Sequence, residues 1–569
     1  MTTHVDTERS LSGGWRWTRA AVVGGLLGLL CGSLPACGGG RATPDVAGQA
    51  PPVLVCPAHG GAPWVELKSK HFVLKTDLPV EHSKIILGAM EVLRSALVAA
   101  MMAETDRPMP PVEVVLFERH ADFQAIKTGP GLRGFATRQL PGDVEPSPII
   151  VAFGKLSYGT RSTLVHELVH QILLQRTANL PWWLDEGLAV YFSTLWIKNA
   201  EDGVAVVGDP PLDVDFGAIE SPVLEANGRT WKHVIPRKEA PTFEALLVTS
   251  PRTVPASKLP THYAAAGKLM QVLAGHRNPN YSPRFWNMLA RLSDGAPGQE
   301  AFTLAYSGVP MSEIAAAYDA RLLDHTESPF PLDFLPPNNL TIEERPMRDG
   351  EIHALWARLL AARPTSQRSA GTELFSGEHD DPHSLSFRYA RASILLQTGE
   401  STSVEDDVRA LLTSAPEDPA YLLLALLEAR RAHRTEKDPD LKAAHLQKLQ
   451  QLADKLSQKA RTGAQQSLTA ATLGELSQMP RALQLAEKST LTDPTCASCF
   501  NIRAHLALAA GDLDTAEQAA LRALRLTDES TSFATFAALL DRITAERRKR
   551  PSGPPAPDTP APGTAPVTP

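Results

Sequence analysis

Two histidines four residues apart, one glutamate beside the first and another well beyond the second, are the residues of this chain best suited to chemistry. They are His166-Glu167-Leu168-Val169-His170 and, sixteen positions on, Glu186 in Pro-Trp-Trp-Leu-Asp-Glu-Gly-Leu-Ala. Within a helix, positions four apart share a face, so His166 and His170 can offer imidazole nitrogens to one metal ion. Glu167 projects beside that pair and can serve as general base toward a water at the ion. A catalytic zinc takes three protein ligands and keeps a fourth position for water. Glu186 as third ligand gives a His₂Glu set, and the cofactor expected is Zn2+.

Two helices must hold these groups. Leu164, Val165, Leu168, Val169, Ile172 and Leu173 surround the stretch Arg161 to Arg176, the pattern of a helix buried on most sides. Burying two histidines and a glutamate there is costly without partners. Asn179-Leu180-Pro181 then forms a stop, and Trp182 to Thr194 starts a second helix with Glu186 one turn inside it. An inward-facing acid among Trp183, Leu184, Leu188 and Tyr191 needs a counter-charge, which a metal supplies. Gly187 beside it lets the two helices approach closely.

These two segments resemble the gluzincin-type metallopeptidases, in particular the peptidase-MA-like domains of bacterial envelope proteins. Such domains carry a histidine-glutamate-leucine-x-histidine helix and then a proline-x-tryptophan-leucine-x-glutamate-glycine-x-alanine segment, matched here by His166 to His170 and Pro181 to Ala189. The resemblance covers Val65 to Leu323. It implies an α+β, thermolysin-like zinc peptidase domain with His166, His170 and Glu186 as ligands and Glu167 as base. It also implies a later helix that donates a tyrosine or histidine to the tetrahedral oxyanion. Tyr263 is the candidate, with His262 behind it. The spacing from His170 to Glu186 is shorter than in thermolysin-like enzymes, and no acid lies four residues after Glu186. The group that would orient a ligand histidine is therefore unassigned, with Asp185 a candidate.

The segments around this site read as an α+β order. His71 to Lys75 alternates as a strand, Val80 to Ala103 is a long helix, and Val112 to Phe117 and Ile149 to Phe153 are further strands. Gly129 to Gly142 reads as a Gly/Pro-bearing loop. Ile149 to Phe153, directly before the metal helix, is expected to supply an edge strand to which an extended peptide could add. Glu201 to Lys238 looks irregular, and helices around Tyr263 to Ala274, Pro283 to Leu292 and Met311 to Leu323 complete the domain.

The N-terminus carries an address. Arg9, Arg16 and Arg19 precede an uncharged run from Ala20 to Ala36, too short to span a membrane as a helix and suited to a signal-peptide core. It ends in Leu34-Pro35-Ala36-Cys37-Gly38, which resembles a bacterial lipobox and makes Cys37 the lipidated residue. The expected location is the cell envelope, with acyl chains as the anchor and with Gly38 favouring the outer membrane. Cys496 and Cys499 could close a small disulfide in that oxidising compartment. A net charge of -7 gives no sign of nucleic-acid binding.

Self-similarity at 34 residues marks a second architecture. Ser477, Ala482, Ala486 and Pro494 align with Gly511, Ala516, Ala520 and Asp528, and more faintly with Gly399, Val404, Val408 and Pro416. Small residues at these spacings let paired helices pack, and the period resembles that of tetratricopeptide arrays, which bind peptides or proteins. The organisation expected is a signal peptide at 1–36, a tether at 37–63 and the zinc peptidase domain at 64–327. A linker at 328–348, all-α tetratricopeptide-like repeats at 349–547 and a Pro-rich tail at 548–569 follow. The function expected is hydrolysis of an envelope or extracellular protein substrate. The alternative is a non-catalytic envelope scaffold that binds protein partners through its repeats.

Overall fold

The computed structural model describes residues 54–549, leaving aside short internal stretches of which 102–110, 128–133, 209–213, 225–230 and 399–403 are the longest. The signal peptide, Cys37 and the Pro-rich tail beyond Lys549 lie outside the described residues. Among those described the chain is mostly helical, with one mixed sheet of six strands and two small sheets of three. No described helix is long and apolar enough to cross a membrane.

The main sheet is built from β1 (Val65–Lys68), β2 (Phe72–Thr76), β3 (Val112–Phe117), β4 (Gly134–Thr137), β5 (Ile149–Phe153) and β12 (Glu343–Pro346), in the order β12-β1-β2-β3-β5-β4. β2, β3 and β5 run parallel, while β1, β12 and β4 pair antiparallel at the flanks. The parallel step from β2 to β3 is made by α1 (Val80–Ala100), as parallel neighbours require a crossover. Side chains alternate across a strand, and the sheet uses both faces. Val114, Leu116, Ile150 and Ala152 enter the core shared with α1, α3 (Tyr158–Arg176), α4 (Trp182–Phe192) and α6 (Leu259–Leu273). Val115, Phe117, Ile149 and Val151 enter a second core with α2 (His120–Ile126) and with α10 (Asp349–Ala361).

Two expectations about the sheet change. β5 is not its edge: β4, inside the stretch expected to be a loop, covers β5 and takes the outer position. The stretch 328–348, expected as a linker, contributes β11 (Phe330–Asp333) and β12. β11 pairs with β7 (Val204–Val207), which pairs with β6 (Trp196–Asn199). The region expected to be irregular also holds β8 (Val214–Gly217), β9 (Ser221–Leu224) and β10 (Trp231–Pro236), ordered β8-β10-β9. Short α5 (Phe243–Val248) precedes α6, and α7 (Ser282–Ser293), α8 (Gly298–Ala305) and α9 (Met311–Leu323) close this half.

The second half is a stack of helical hairpins. They are α10 with α11 (Gln367–Asp380), α12 (Leu385–Thr398) with α13 (Glu405–Ser414), and α14 (Pro419–Thr435) with α15 (Pro439–Lys459). α16 (Gly463–Glu475) with α17 (Met479–Thr492), α18 (Ala497–Ala510) with α19 (Leu513–Arg525), and a last α20 (Thr531–Lys549) complete the stack. The 34-residue period is visible in where helices begin: α16 to α18 and α17 to α19 are each displaced by 34, as are α12 to α14 and α13 to α15. Between the two registers lies an α14–α15 hairpin ten residues longer than the period. Local chemistry sets these starts. Asp418 and Asp438 cap α14 and α15 before a proline at the first helical position, and Thr462 with Gln465 forms a capping box on α16. Ala482, Ala486, Ala516 and Ala520 are fully buried where the hairpins close. Cys496 and Cys499 are joined by a disulfide across the first turn of α18.

The halves are fastened together. Trp356 of α10 lies edge-on to Phe117 at 5.4 Å, and its burial at 2 % exposure stabilises by roughly 1.5–3 kcal/mol on the scale of large apolar side chains. Arg358 of α10 bonds Glu113 of β3 at 3.1 and 3.2 Å and Asp143 at 2.7 and 2.9 Å. The arm before β1 joins in: the Cys56 thiol is 3.2 Å from His353 Nε2 of α10, and burial pushes it up to about 12.

Candidate metal centre

α3 is held at a fixed depth under the sheet. Gln171, next to His170, donates from Nε2 to the carbonyls of Thr137 on β4 at 2.9 Å and Ile149 on β5 at 3.0 Å. A Cβ on Gly134 would stand 2.8 Å from Thr163 Cγ2, so glycine in β4 is what lets the metal helix sit this close. Motif spacing passes over Gln171, although a glutamine inside so apolar a helix is itself the signal.

α4 brings Glu186 to the two histidines. His166 Nε2 and His170 Nε2 are 3.1 Å apart, and Glu186 Oε2 lies 3.4 Å from the first and 3.6 Å from the second. Of groups of three or more potential ligands among the described residues, this is the one whose donor atoms fall within 4.8 Å of one another. Donors bound to zinc at about 2.0–2.2 Å in a tetrahedron stand about 3.3 Å apart, so the three observed separations fit such an ion. Two carboxylate oxygens argue the same way. Glu186 Oε2 and Glu167 Oε2 are buried without a hydrogen-bond partner among the described residues, a costly arrangement unless something else satisfies them.

Asp185 completes the surroundings of His170. Its Oδ1 is 2.9 Å from His170 Nδ1. A carboxylate accepts, so Nδ1 carries the hydrogen and Nε2 keeps its lone pair for a metal, the arrangement in which an acid orients a ligating imidazole. The acid that does this stands beside Glu186 in sequence rather than a turn after it. Electrostatics divide the two glutamates. Burial pushes the Glu167 carboxyl above its ordinary value despite the pull of His166 and His170. For Glu186 burial acts in the same direction, but the neighbouring His170 and His166 imidazoles outweigh it and hold its carboxyl well below the carboxylate range in the metal-free site.

α6 packs along α4. Gly187 makes this possible, since a Cβ there would come within 2.9 Å of the Ala266 carbonyl oxygen and of Met270 Cγ. The close approach expected of Gly187 is therefore to α6 and not to the metal helix. Tyr263 and His262 lie on the first turns of α6 with ring centroids 5.7 and 5.9 Å from Trp182, one turn before Glu186. His262 Nδ1 is 3.0 Å from the Lys258 carbonyl oxygen. The structure thus brings together His166, His170, Glu186, Glu167 and Asp185, and sets Tyr263 and His262 at the neighbouring helix end.

No protein-family profile matches the chain, and no curated protein does. Among solved structures, a thermophilic TPR protein of Thermus thermophilus aligns with a TM-score of 0.31 and 14% identity, covering 34% of this chain and 98% of that one.

Proposed function

We propose that this chain is a zinc-dependent peptidase acting through His166, His170 and Glu186 as ligands and Glu167 as general base. The observation that carries the reading is the near-equal spacing of the three donor atoms, at 3.1, 3.4 and 3.6 Å. Bound there, zinc would act as a Lewis acid and lower the pKa of a water molecule. Glu167 would accept the proton of the attacking water and return it to the leaving amine nitrogen. Asp185 holds the His170 tautomer that binding requires. Tyr263 or His262 donates to the developing oxyanion. β4 is the edge to which an extended peptide would add as a further strand. The lipobox ending in Cys37 supports a place on the envelope membrane, where the substrates would be proteins or peptides.

A second reading rests on the hairpins with their 34-residue offsets. Stacked helical hairpins of this kind present extended faces to protein partners, and a scaffold would need no turnover. Glu167 distinguishes the two, because a purely structural zinc requires no base.

The test uses the chain from Arg41 onward. About one zinc per chain, weakened in Glu186→Ala, is expected on the three-ligand scheme. Glu167→Gln should keep the zinc and lose hydrolysis of peptides. A folded protein that takes up no zinc defeats the metal site, while zinc without hydrolysis of peptides leaves the scaffold.

A further inference from the structure

A cavity of about 990 Å³ lies between the β1–β2 turn, the second half of α1 and the segment leading from β11 to β12, and none of its lining residues belongs to α3, α4 or α6. Its floor is a buried acid already satisfied from within. Glu91, 1 % exposed, accepts from Ser69 Oγ at 2.6 Å and from the His71 backbone N–H at 2.8 Å, and its Oε2 is 2.7 Å from His71 Nδ1. Burial alone would raise its carboxyl, but these partners hold it below its ordinary value. Glu91 is thus an ionised, fully engaged anchor.

Arg94, three residues on and so on the same helix face, is in a different position. The residue is half-buried, burial lowers its pKa, and the Glu91 charge opposes this. It enters no hydrogen bond or ion pair among the described residues. Lys68 and Lys70 line the same cavity from the turn and are exposed. The segment from β11 to β12 lines the cavity with both apolar and polar side chains. Phe334 is buried, while Leu335 is 88% and Leu340 41% exposed at the rim.

Which ligand does this fit? A guanidinium lining the cavity without a hydrogen-bond partner among the described residues matches a planar carboxylate. Asp333 and Glu343 also line the cavity and offset the lysines, so a polyanion would meet repulsion as well as attraction. The volume is that of a pocket for a small organic molecule, about 300–1,000 Å³. We propose that this cavity is a second binding site, separate from the metal centre, for a singly charged amphipathic carboxylate: the acid group sits on Arg94 and the apolar body lies against Phe334, Leu335 and Leu340. Two sources share that chemistry, the C-terminus of an apolar peptide and a long-chain acyl carboxylate.

Calorimetric titration of the chain from Arg41 onward distinguishes them. The probes are a tetrapeptide ending in leucine with a free carboxylate, the same peptide as its C-terminal amide, and dodecanoate. Binding of one or both acids, with the amide at least about tenfold weaker, is expected for a charge-assisted contact. Arg94→Met should lose the same factor, and should leave zinc content unchanged because the two sites share no residue. Should that variant fail to fold, Arg94→Lys, which keeps the charge and loses the fork, takes its place. No binding of either acid, equal binding of acid and amide, or full affinity in the arginine variant overturns the proposal.

Discussion

Arg358 is the cation on which the attachment of the repeats to the sheet depends, and its removal has a calculable cost. It serves two carboxylates at once, Glu113 and Asp143, and none of the three side chains is more than 13% exposed. Lys75 adds a contact to Glu113 at 3.0 Å. Arg358→Met keeps the length of the stem and deletes the guanidinium. Breaking a buried ion pair by removing one partner costs roughly 3–5 kcal/mol. Glu113 is where the loss is felt. Burial would raise its carboxyl, but Arg358 and Lys75 together hold it down at about 2, so loss of Arg358 leaves a buried carboxylate with Lys75 as its remaining cationic partner. A loss of about 3–5 kcal/mol is therefore expected at pH 7. Its pH dependence is diagnostic. A depressed carboxyl stabilises fully above its unfolded value and loses that contribution as pH falls toward 2. In the variant, burial favours the protonated form at a higher pH, so the deficit should shrink between pH 7 and pH 4.5. Because a chain of this architecture need not unfold in one step, the measurement is hydrogen exchange in α10 together with the urea midpoint at both pH values. Exchange in α10 equal to that of the unsubstituted protein at pH 7, or a deficit identical at the two pH values, would refute the account.

Three further outcomes follow from single contacts. Asp185→Ala should weaken zinc binding by about 10–100-fold, the range for removing a group that orients a ligand, without a change in the urea midpoint of the zinc-free protein; competition with a chromogenic chelator reads it, and undiminished affinity removes Asp185 from the site. Gly187→Ala puts a methyl group 2.9 Å from the Ala266 carbonyl oxygen and should cost about 1–3 kcal/mol by overpacking, seen as a lower unfolding midpoint; a variant as stable as the parent means α4 and α6 are not in that contact. Ser477 has φ of +60° and is exposed, so Ser477→Gly relieves about 1–2 kcal/mol of left-handed strain against roughly 0.4–1 kcal/mol of added freedom in the unfolded chain. A gain of about 0.5–1 kcal/mol remains, and Gly511→Ser, at φ +82°, should move stability the other way; equal and unmoved midpoints in both would defeat the repeat register.

What could be read from the sequence and what could not divide along the range of the forces involved. The metal helix, Glu186 and the helix Met311–Leu323 were legible because periodicity, a proline stop and motif spacing are local, and the structure keeps them within a few residues. The 34-residue period was legible for the same reason, down to the equivalence of Ser477 and Gly511, which both terminate a helix in the left-handed region. β4 was not legible. Gly134-Phe135-Ala136-Thr137 carries no strand pattern strong enough to outweigh its Gly/Pro surroundings, and it becomes a strand because β5 offers hydrogen bonds and Gln171 fixes the Thr137 carbonyl from α3. β12 is the sharper case. Glu343-Glu344-Arg345-Pro346 is exposed at every position, so no hydrophobic alternation could have marked it. Its order comes from β1, paired along its whole length, and from Arg345 reaching Glu66 at 2.9 Å and Glu351 at 2.8 Å. A charged, proline-ended strand is also a suitable edge for a sheet that must not recruit another copy of itself. The same segment therefore reads as linker from composition and acts as edge strand in the fold, and it leads straight into α10, whose Trp356 and Arg358 occupy the sheet face turned away from α3. α3 and the helical hairpins thus share one sheet as their common support, each on its own side.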